Sequence, residues 1–191
     1  SQEKMDELNK LARGHFLIVD VAPERPGAIE FIERNSKDFV ISVAHTAADY
    51  EKAMEAFGAG ATEVTHLFNA MNGLGHRDPG VPGAAFASGA NVEMICDGIH
   101  IHPTVMKMVY RMMGDHLMVI SDSMSAAGLQ DGEYVLGGLP VYVKEGKATL
   151  KDGKIAGSTT DMLKEMGVWM DQCGLTMEEI LKMNWLCDRI D

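Results

Sequence analysis

The sequence predicts an α/β fold made of repeated strand–helix units on a parallel sheet, and three observations carry that reading. Short apolar runs alternate with amphipathic stretches of helical periodicity. Most of the runs are near-continuous in apolar residues, as strands covered on both faces are, and do not alternate as half-exposed antiparallel strands do. Successive runs also end on an ionisable or metal-binding side chain: Asp20, His45, His66, Asp97 and Asp122. In a (βα) barrel that end of the strands is the face where active sites are built, so five such endings in succession point to a site.

In chain order the strands are expected over residues 16–20, 39–45, 61–66, 92–97 and 117–122, with helices over 26–35, 47–58 and 104–114. Each helical stretch ends near Gly or Asn, the residues that tolerate the left-handed turn closing a helix. In the last of them Met106, Met108, Met112 and Met113 stand at helical spacing and read as flexible core fillers. Beyond Asp122 the pattern changes. Residues 134–157 alternate and carry hairpin signals at Lys144-Glu-Gly-Lys147 and Lys151-Asp-Gly-Lys154, so a small antiparallel insertion over the barrel mouth is expected. Two helices follow, over 159–173 and 176–186, the second opening on the capping-box arrangement Thr176-Met-Glu-Glu179.

The 191 residues suffice for a sizeable core in one continuous unit. With 46% hydrophobic and 24% charged residues, the composition excludes disordered, collagen-like and coiled-coil chains. A formal net charge of −11 argues against a nucleic-acid groove or an anionic membrane surface, and leaves an anionic small substrate only where a few basic residues make a local positive pocket. No apolar run approaches a membrane span and the first residues lack signal-peptide shape, so the chain reads as intracellular. Cys96, Cys173 and Cys187 share no CxxC spacing and read as small buried thiols, not disulfides or zinc ligands. Five βα strands fall short of the eight of a complete barrel, and the alternation alone leaves a smaller open sheet and part of a barrel equally open.

Motifs around the strand ends decide between them. Ala44-His-Thr46, Thr65-His-Leu-Phe-Asn-Ala-Met71, His76-Arg-Asp-Pro-Gly80, Asp97-Gly-Ile-His100, Ser121-Asp-Ser-Met124 with Ala126-Ala-Gly128, and Ala156-Gly-Ser-Thr159 follow one another in the order and spacing of a known family. The chain resembles the N-acetylglucosamine-6-phosphate deacetylases of the amidohydrolase superfamily from about Val21 onward. The resemblance implies the middle and later part of a metal-dependent (βα)8 TIM barrel with a small β-hairpin insertion near 134–157. Residues 1–191 would then be a partial catalytic barrel without the family's N-terminal strands, its β-sandwich and its metal-binding Glu in a Leu-Glu-Gly-Pro-like segment. On that reading the isolated chain is expected to make an incomplete barrel that binds metal weakly and has little activity; were it fully active alone, Asp20, Glu24 or Asp97 would have to stand in for that Glu.

The same resemblance implies roles for individual residues. His45 and His66, 21 positions apart at adjacent strand ends, match the metal-binding positions, and two neutral imidazoles suit a divalent zinc or iron ion. Asp122 matches the acid–base carboxylate; amide hydrolysis needs a base for the attacking water and an acid for the leaving amine, and one group can serve both in turn. Asn69 and Ala70 match substrate contacts through an amide side chain and a backbone N–H. Arg77, with His76 beside it, supplies the cation a sugar phosphate requires, reaching across a dimer interface in the family. His100 matches the substrate-binding histidine, and Ile155, Ala156 and Gly157 would line the sugar. His102, in Ile101-His-Pro103, is not assigned as a ligand. The implied activity is hydrolysis of N-acetylglucosamine 6-phosphate to glucosamine 6-phosphate and acetate by a cytoplasmic, homodimeric enzyme, with no nucleic-acid or membrane partner. The alternatives are an amidohydrolase acting on another N-acyl sugar, and a non-catalytic fragment or sugar-phosphate-binding module.

Overall fold

The computed structural model describes residues 2–182, which fall into two compact units divided between Glu93 and Met94. Cys187 lies outside the described residues.

The first unit opens with a helix not expected from the sequence, α1 (Gln2–Leu11), which is polar almost all round and buries only Met5. Two reciprocal amide bonds tie it to the following helix: Gln2 Nε2 donates to Asn35 Oδ1 (3.1 Å) and Asn35 Nδ2 donates to Gln2 Oε1 (2.8 Å). Then come β1 (Ile18–Val21), α2 (Ala28–Asn35), β2 (Val40–Val43), α3 (Tyr50–Gly58), β3 (Glu63–Val64), α4 (Gly80–Ser88) and the start of β4 (Asn91–Ile95). The pairs β1–β2, β2–β3 and β3–β4 are all parallel and each strand lies beside its neighbour in sequence, with registers Val21↔Val43, Val43↔Val64 and Val64↔Val92. The β2 and β3 strands are almost wholly buried, as their continuous apolar sequence requires, whereas β1 is half-exposed.

Asp49 caps α3 by accepting from Lys52 N at 2.8 Å, and Ala53 and Ala56 turn inward one helical step apart. Opposite them packs α4, a second element not expected from the sequence, because Gly80, Pro82 and Gly83 read as helix breakers. Pro82 stands in the first turn, where no intrahelical N–H is required. Gly80, at φ 58°, lies so near the Asn72 and Gly73 carbonyls that a Cβ would approach each to 2.9 Å, which gives a steric reason for glycine at the end of Arg-Asp-Pro-Gly.

The second unit holds the end of β4, whose next neighbour in the sheet is β5 (Leu117–Ile120), with α5 (Pro103–Met113) between them in sequence. His102 is the N-cap of α5, its Nδ1 accepting from Thr104 N at 3.2 Å, which accounts for this histidine without a metal. Met106, Val109 and Met113 are buried, but Met108 and Met112 are more than half exposed, at 52% and 56%; the expectation that all four methionines fill the core is corrected, since the helix buries one stripe only.

A three-stranded antiparallel sheet follows: β6 (Gly132–Leu136), β7 (Leu139–Lys144) and β8 (Lys147–Thr149). Its second turn sits on Glu145 and Gly146 at φ 53° and 74°, the doubly left-handed geometry that matches strand twist and favours Gly. Val141 and Val143 of β7 point into a small core with Met124, Ala126 and Ala148. The expected second hairpin is present as a return turn in which Leu150 N donates to Lys154 O at 2.8 Å and Ala156 N to Ala148 O at 3.1 Å.

Helix α6 (Met162–Cys173) is capped by Asp161 and buries Glu165 and Trp169, the latter in edge contact with Tyr110 at 5.7 Å. In front of α7 (Met177–Lys182) the capping box forms as read: Thr176 N and Oγ1 donate to Glu179 Oε2 (2.7 and 2.8 Å), and Glu179 N donates back to Thr176 Oγ1 at 3.3 Å. Among the described residues no helix is long and apolar enough to cross a membrane.

Candidate active site

The strands end two residues earlier than the apolar runs suggest, and this shift is regular. Val43, Val64, Ile95 and Ile120 close β2, β3, β4 and β5, so His45, His66, Asp97 and Asp122 each stand two positions past a strand end. Asp20 departs from the expectation: it lies inside β1, where its Oδ1 accepts from Thr65 Oγ1 at 3.0 Å.

Three of the four share an unusual backbone. His45, His66 and Asp122 have φ of 46°, 36° and 47°, and Phe68 and Ala70 join them at 74° and 49°; among the described residues only Arg13 and Glu145 are further non-glycine residues at positive φ. Such a conformation costs about 1–3 kcal/mol per residue and persists where surrounding structure over-determines it, commonly at functional sites.

In the first unit the two imidazoles converge. His45 Nε2 and His66 Nε2 are 3.0 Å apart, with ring planes at 81° and centroids at 4.7 Å; His66 is buried and His45 exposed. Two nitrogens bound to one tetrahedral zinc at about 2.0–2.1 Å would stand about 3.3 Å apart, so this donor pair fits a divalent ion. Among the described residues no group of three or more His, Cys, Asp or Glu forms a fuller set. An open cleft of about 460 Å³ beside His45 is lined by Glu24, Thr46, Ala47, Ala70, Met71 and Asn72.

Asn69 Nδ2 donates to the His66 and Leu67 carbonyls at 3.2 and 3.3 Å, and the Ala70 carbonyl accepts from Thr46 N at 3.0 Å. Arg77 and His76 are exposed and joined to each other, Nη1 to Nε2, at 2.7 Å.

In the second unit the Asp97-Gly-Ile-His100 motif closes on itself. Asp97 Oδ1 accepts from Ile99 N and His100 N, both at 2.8 Å, while Oδ2 meets His100 Nδ1 at 2.7 Å and accepts from Ser158 Oγ at 3.3 Å. Burial pushes the Asp97 carboxyl up, but the His100 side chain, its backbone N–H and its charge outweigh this and hold it below the usual range. Behind lies Glu165, which accepts from Cys96 N at 2.6 Å, from Ser158 Oγ at 3.2 Å and from Thr160 Oγ1; burial raises its carboxyl. Burial likewise raises the Cys96 thiol, which fits an inert core cysteine.

Asp122 is exposed. Its carbonyl accepts from Ser158 N at 3.0 Å, and Gly157 approaches it so closely that a Cβ there would lie 3.3 Å away. The structure therefore brings Gly157 beside Asp122, whereas Ile155 pairs with Thr149 and Ala156 packs on the small sheet's core.

Sequence reasoning missed an acidic pair near His66, of buried Glu63 and half-buried Glu93. Glu93 on β4 faces Glu63 on β3, and burial first, then the Glu63 charge and hydrogen bond and the Asp20 charge, push the Glu93 carboxyl up to about 8. The folded value lies above the ordinary 4.5, so the stability this group contributes is present at acid pH and is lost as pH rises through about 8. In chelator-treated protein this group is expected to lower the melting temperature between about pH 4.5 and 8 and to add no further fall above that, and Glu93→Gln to flatten the fall. An unchanged slope in the variant would show that another group sets it.

No family model matches the chain. It is 40% identical over 190 residues to the N-acetylglucosamine-6-phosphate deacetylase of Bacillus subtilis, covering 93% of this chain and 48% of that one. It is 33% identical over 182 residues to the N-acetylgalactosamine-6-phosphate deacetylase of Escherichia coli, covering 94% and 48%. Its backbone matches a mutant N-acetyl-D-glucosamine-6-phosphate deacetylase of Mycobacterium smegmatis, solved in complex with N-acetyl-D-glucosamine-6-phosphate, with TM-score 0.90 and 34% identity, covering 96% of this chain and 49% of that one. The chain thus spans about half the length of the curated relatives it matches. Over the stretch that it spans, the chain is similar to N-acetylglucosamine- and N-acetylgalactosamine-6-phosphate deacetylases.

Proposed function

We propose that the chain is part of a metal-dependent hydrolase that removes the acetyl group from N-acetylglucosamine 6-phosphate. The observation that carries this reading is the convergence of His45 and His66, from left-handed positions two residues past adjacent strands, within a chain related to these deacetylases. The one-after-another strand order supports a barrel of (βα)8 type over a doubly wound sheet, whose order reverses. Residues 1–191 are on this reading a stretch of the catalytic barrel bearing the 132–149 antiparallel insertion.

His45 and His66 would hold the ion, zinc or iron. When bound, a divalent ion supplies Lewis acidity toward the acetyl carbonyl and the attacking water. Asp122 takes a proton from the water as its oxygen bonds to the acetyl carbon, then gives it to the amide nitrogen as the C–N bond breaks, leaving acetate and the free amine of glucosamine 6-phosphate. Asn69 and the Ala70 N–H orient the sugar, and Ile155, Ala156 and Gly157 line it. Arg77 and His100 hold the substrate's polar groups, Arg77 at the phosphate, in a cytoplasmic homodimer. Asp97, in two-point contact with His100 through Nδ1 and the backbone N–H, fixes that ring.

The 33% identity to an N-acetylgalactosamine-6-phosphate deacetylase supports a second reading, a substrate differing at the C4 hydroxyl. Acetate release from the two sugar phosphates and from unphosphorylated N-acetylglucosamine separates these readings. Arg77→Ala is expected to weaken the phosphorylated substrate about tenfold or more and the unphosphorylated one little, because only the former loses a charge-assisted bond. Equal losses for both would make Arg77 structural.

A further inference from the structure

We propose that Glu24 is a positioning residue for His45, reaching from the end of β1 to clamp the backbone that follows the histidine at the end of β2. This rests on the reading of His45 and His66 as an ion-binding pair. A non-glycine residue at φ 46° returns to a right-handed or extended conformation unless its neighbours forbid it, and a swung His45 would carry Nε2 away from His66.

The restraints on the chain just after His45 are few and identifiable. Glu24 Oε1 accepts from Ala47 N at 3.0 Å, and Oε2 accepts from Thr46 Oγ1. That hydroxyl in turn accepts from Ala48 N at 2.9 Å. Thr46 N donates to the Ala70 carbonyl at 3.0 Å, and Asn72 Nδ2 donates to the Ala47 and Ala48 carbonyls at 2.9 and 3.2 Å. Three strand ends are thereby laced together: Glu24 after β1, residues 46–48 after β2, and Ala70 and Asn72 after β3.

Within this lacing Glu24 is the charged partner. Burial pushes its carboxyl up, yet the Thr46 hydroxyl and the Ala47 N–H more than offset this and hold it low, so both bonds are charge-assisted. Both oxygens are engaged, so Glu24 acts through the backbone beside His45 and not as a stand-in for the family's glutamate ligand. The same carboxylate lines the cleft next to His45, which places the clamp at the site and not in the distant core.

The test measures zinc binding by calorimetry in the full chain, alongside melting temperature, for wild type, His45→Ala, Glu24→Ala and Glu24→Gln. Outer-shell partners of metal ligands contribute about 10- to 100-fold in affinity. Glu24→Ala is expected to bind zinc about tenfold more weakly with a melting temperature within a few degrees of wild type. Glu24→Gln keeps one acceptor for Ala47 N and should recover most of that affinity. His45→Ala should lose more than either. Wild-type zinc affinity in Glu24→Ala, with His45→Ala weakened, would overturn the positioning role and leave the ligand pair standing. Wild-type affinity in His45→Ala would overturn the ligand reading itself. Should Glu24→Ala fail to fold, Glu24→Gln and Thr46→Val carry the comparison: weaker zinc binding in Thr46→Val at an unshifted melting temperature supports the clamp, and wild-type binding in both contradicts it.

Discussion

Asp122→Asn is expected to lower turnover by about 10²- to 10⁴-fold or more while leaving the fold and sugar-phosphate binding in place, because general acid–base catalysis contributes on that scale and on the proposed reading one group serves two proton transfers. The substitution is nearly isosteric and touches no buried bond, since the Asp122 side chain is exposed and its backbone carbonyl, not its carboxyl, accepts from Ser158 N. The expected pattern is therefore a fall in kcat with little change in KM. Near-normal turnover would move the acid–base role elsewhere, and a matching loss of folded protein would make the Asp122 carboxylate structural.

The second large effect concerns the imidazole pair. If the pair holds a divalent ion as proposed, His45→Ala and His66→Ala should each strip most of the bound zinc or iron from active protein, because a lost donor would be replaced only by water. The two variants should differ in a way the structure specifies. His66 is buried and its neighbour Leu67 donates to the Glu93 carbonyl at 2.7 Å, so His66→Ala should also lower the melting temperature. His45 is exposed and its removal should affect metal content with little effect on stability. Elemental analysis and thermal melts of both variants check this; unchanged metal content in both would remove the pair from the site.

Some of this was written in the chain locally. The run Val40-Ile-Ser-Val43 is apolar enough that no other element suits it, and the residue types two positions after β2, β3, β4 and β5 announce chemistry before any coordinates are known. What could not be read depends on partners distant in sequence. Glu24 meets Thr46 across 22 residues, Ser158 meets Asp97 across 61, and Glu165 meets Cys96 across 69; none of these separations has a periodic signature. The helix α4 was hidden because its Gly and Pro serve close packing around Gly80 and Pro79 rather than interrupting the helix. The exposure of Met108 and Met112 was hidden for the opposite reason, since helical spacing identifies a face but does not say how wide a stripe a neighbour covers.

The claim on which the rest depends is that these strand ends serve a metal-dependent deacetylation rather than sugar-phosphate binding alone. Its most direct test adds zinc or iron(II) back to chelator-treated active protein and follows acetate and primary amine from N-acetylglucosamine 6-phosphate together. The account predicts equimolar acetate and glucosamine 6-phosphate, absent without the ion and restored by it. Tight binding of the sugar phosphate with no acetate released under either ion would contradict it and leave a binding module in its place.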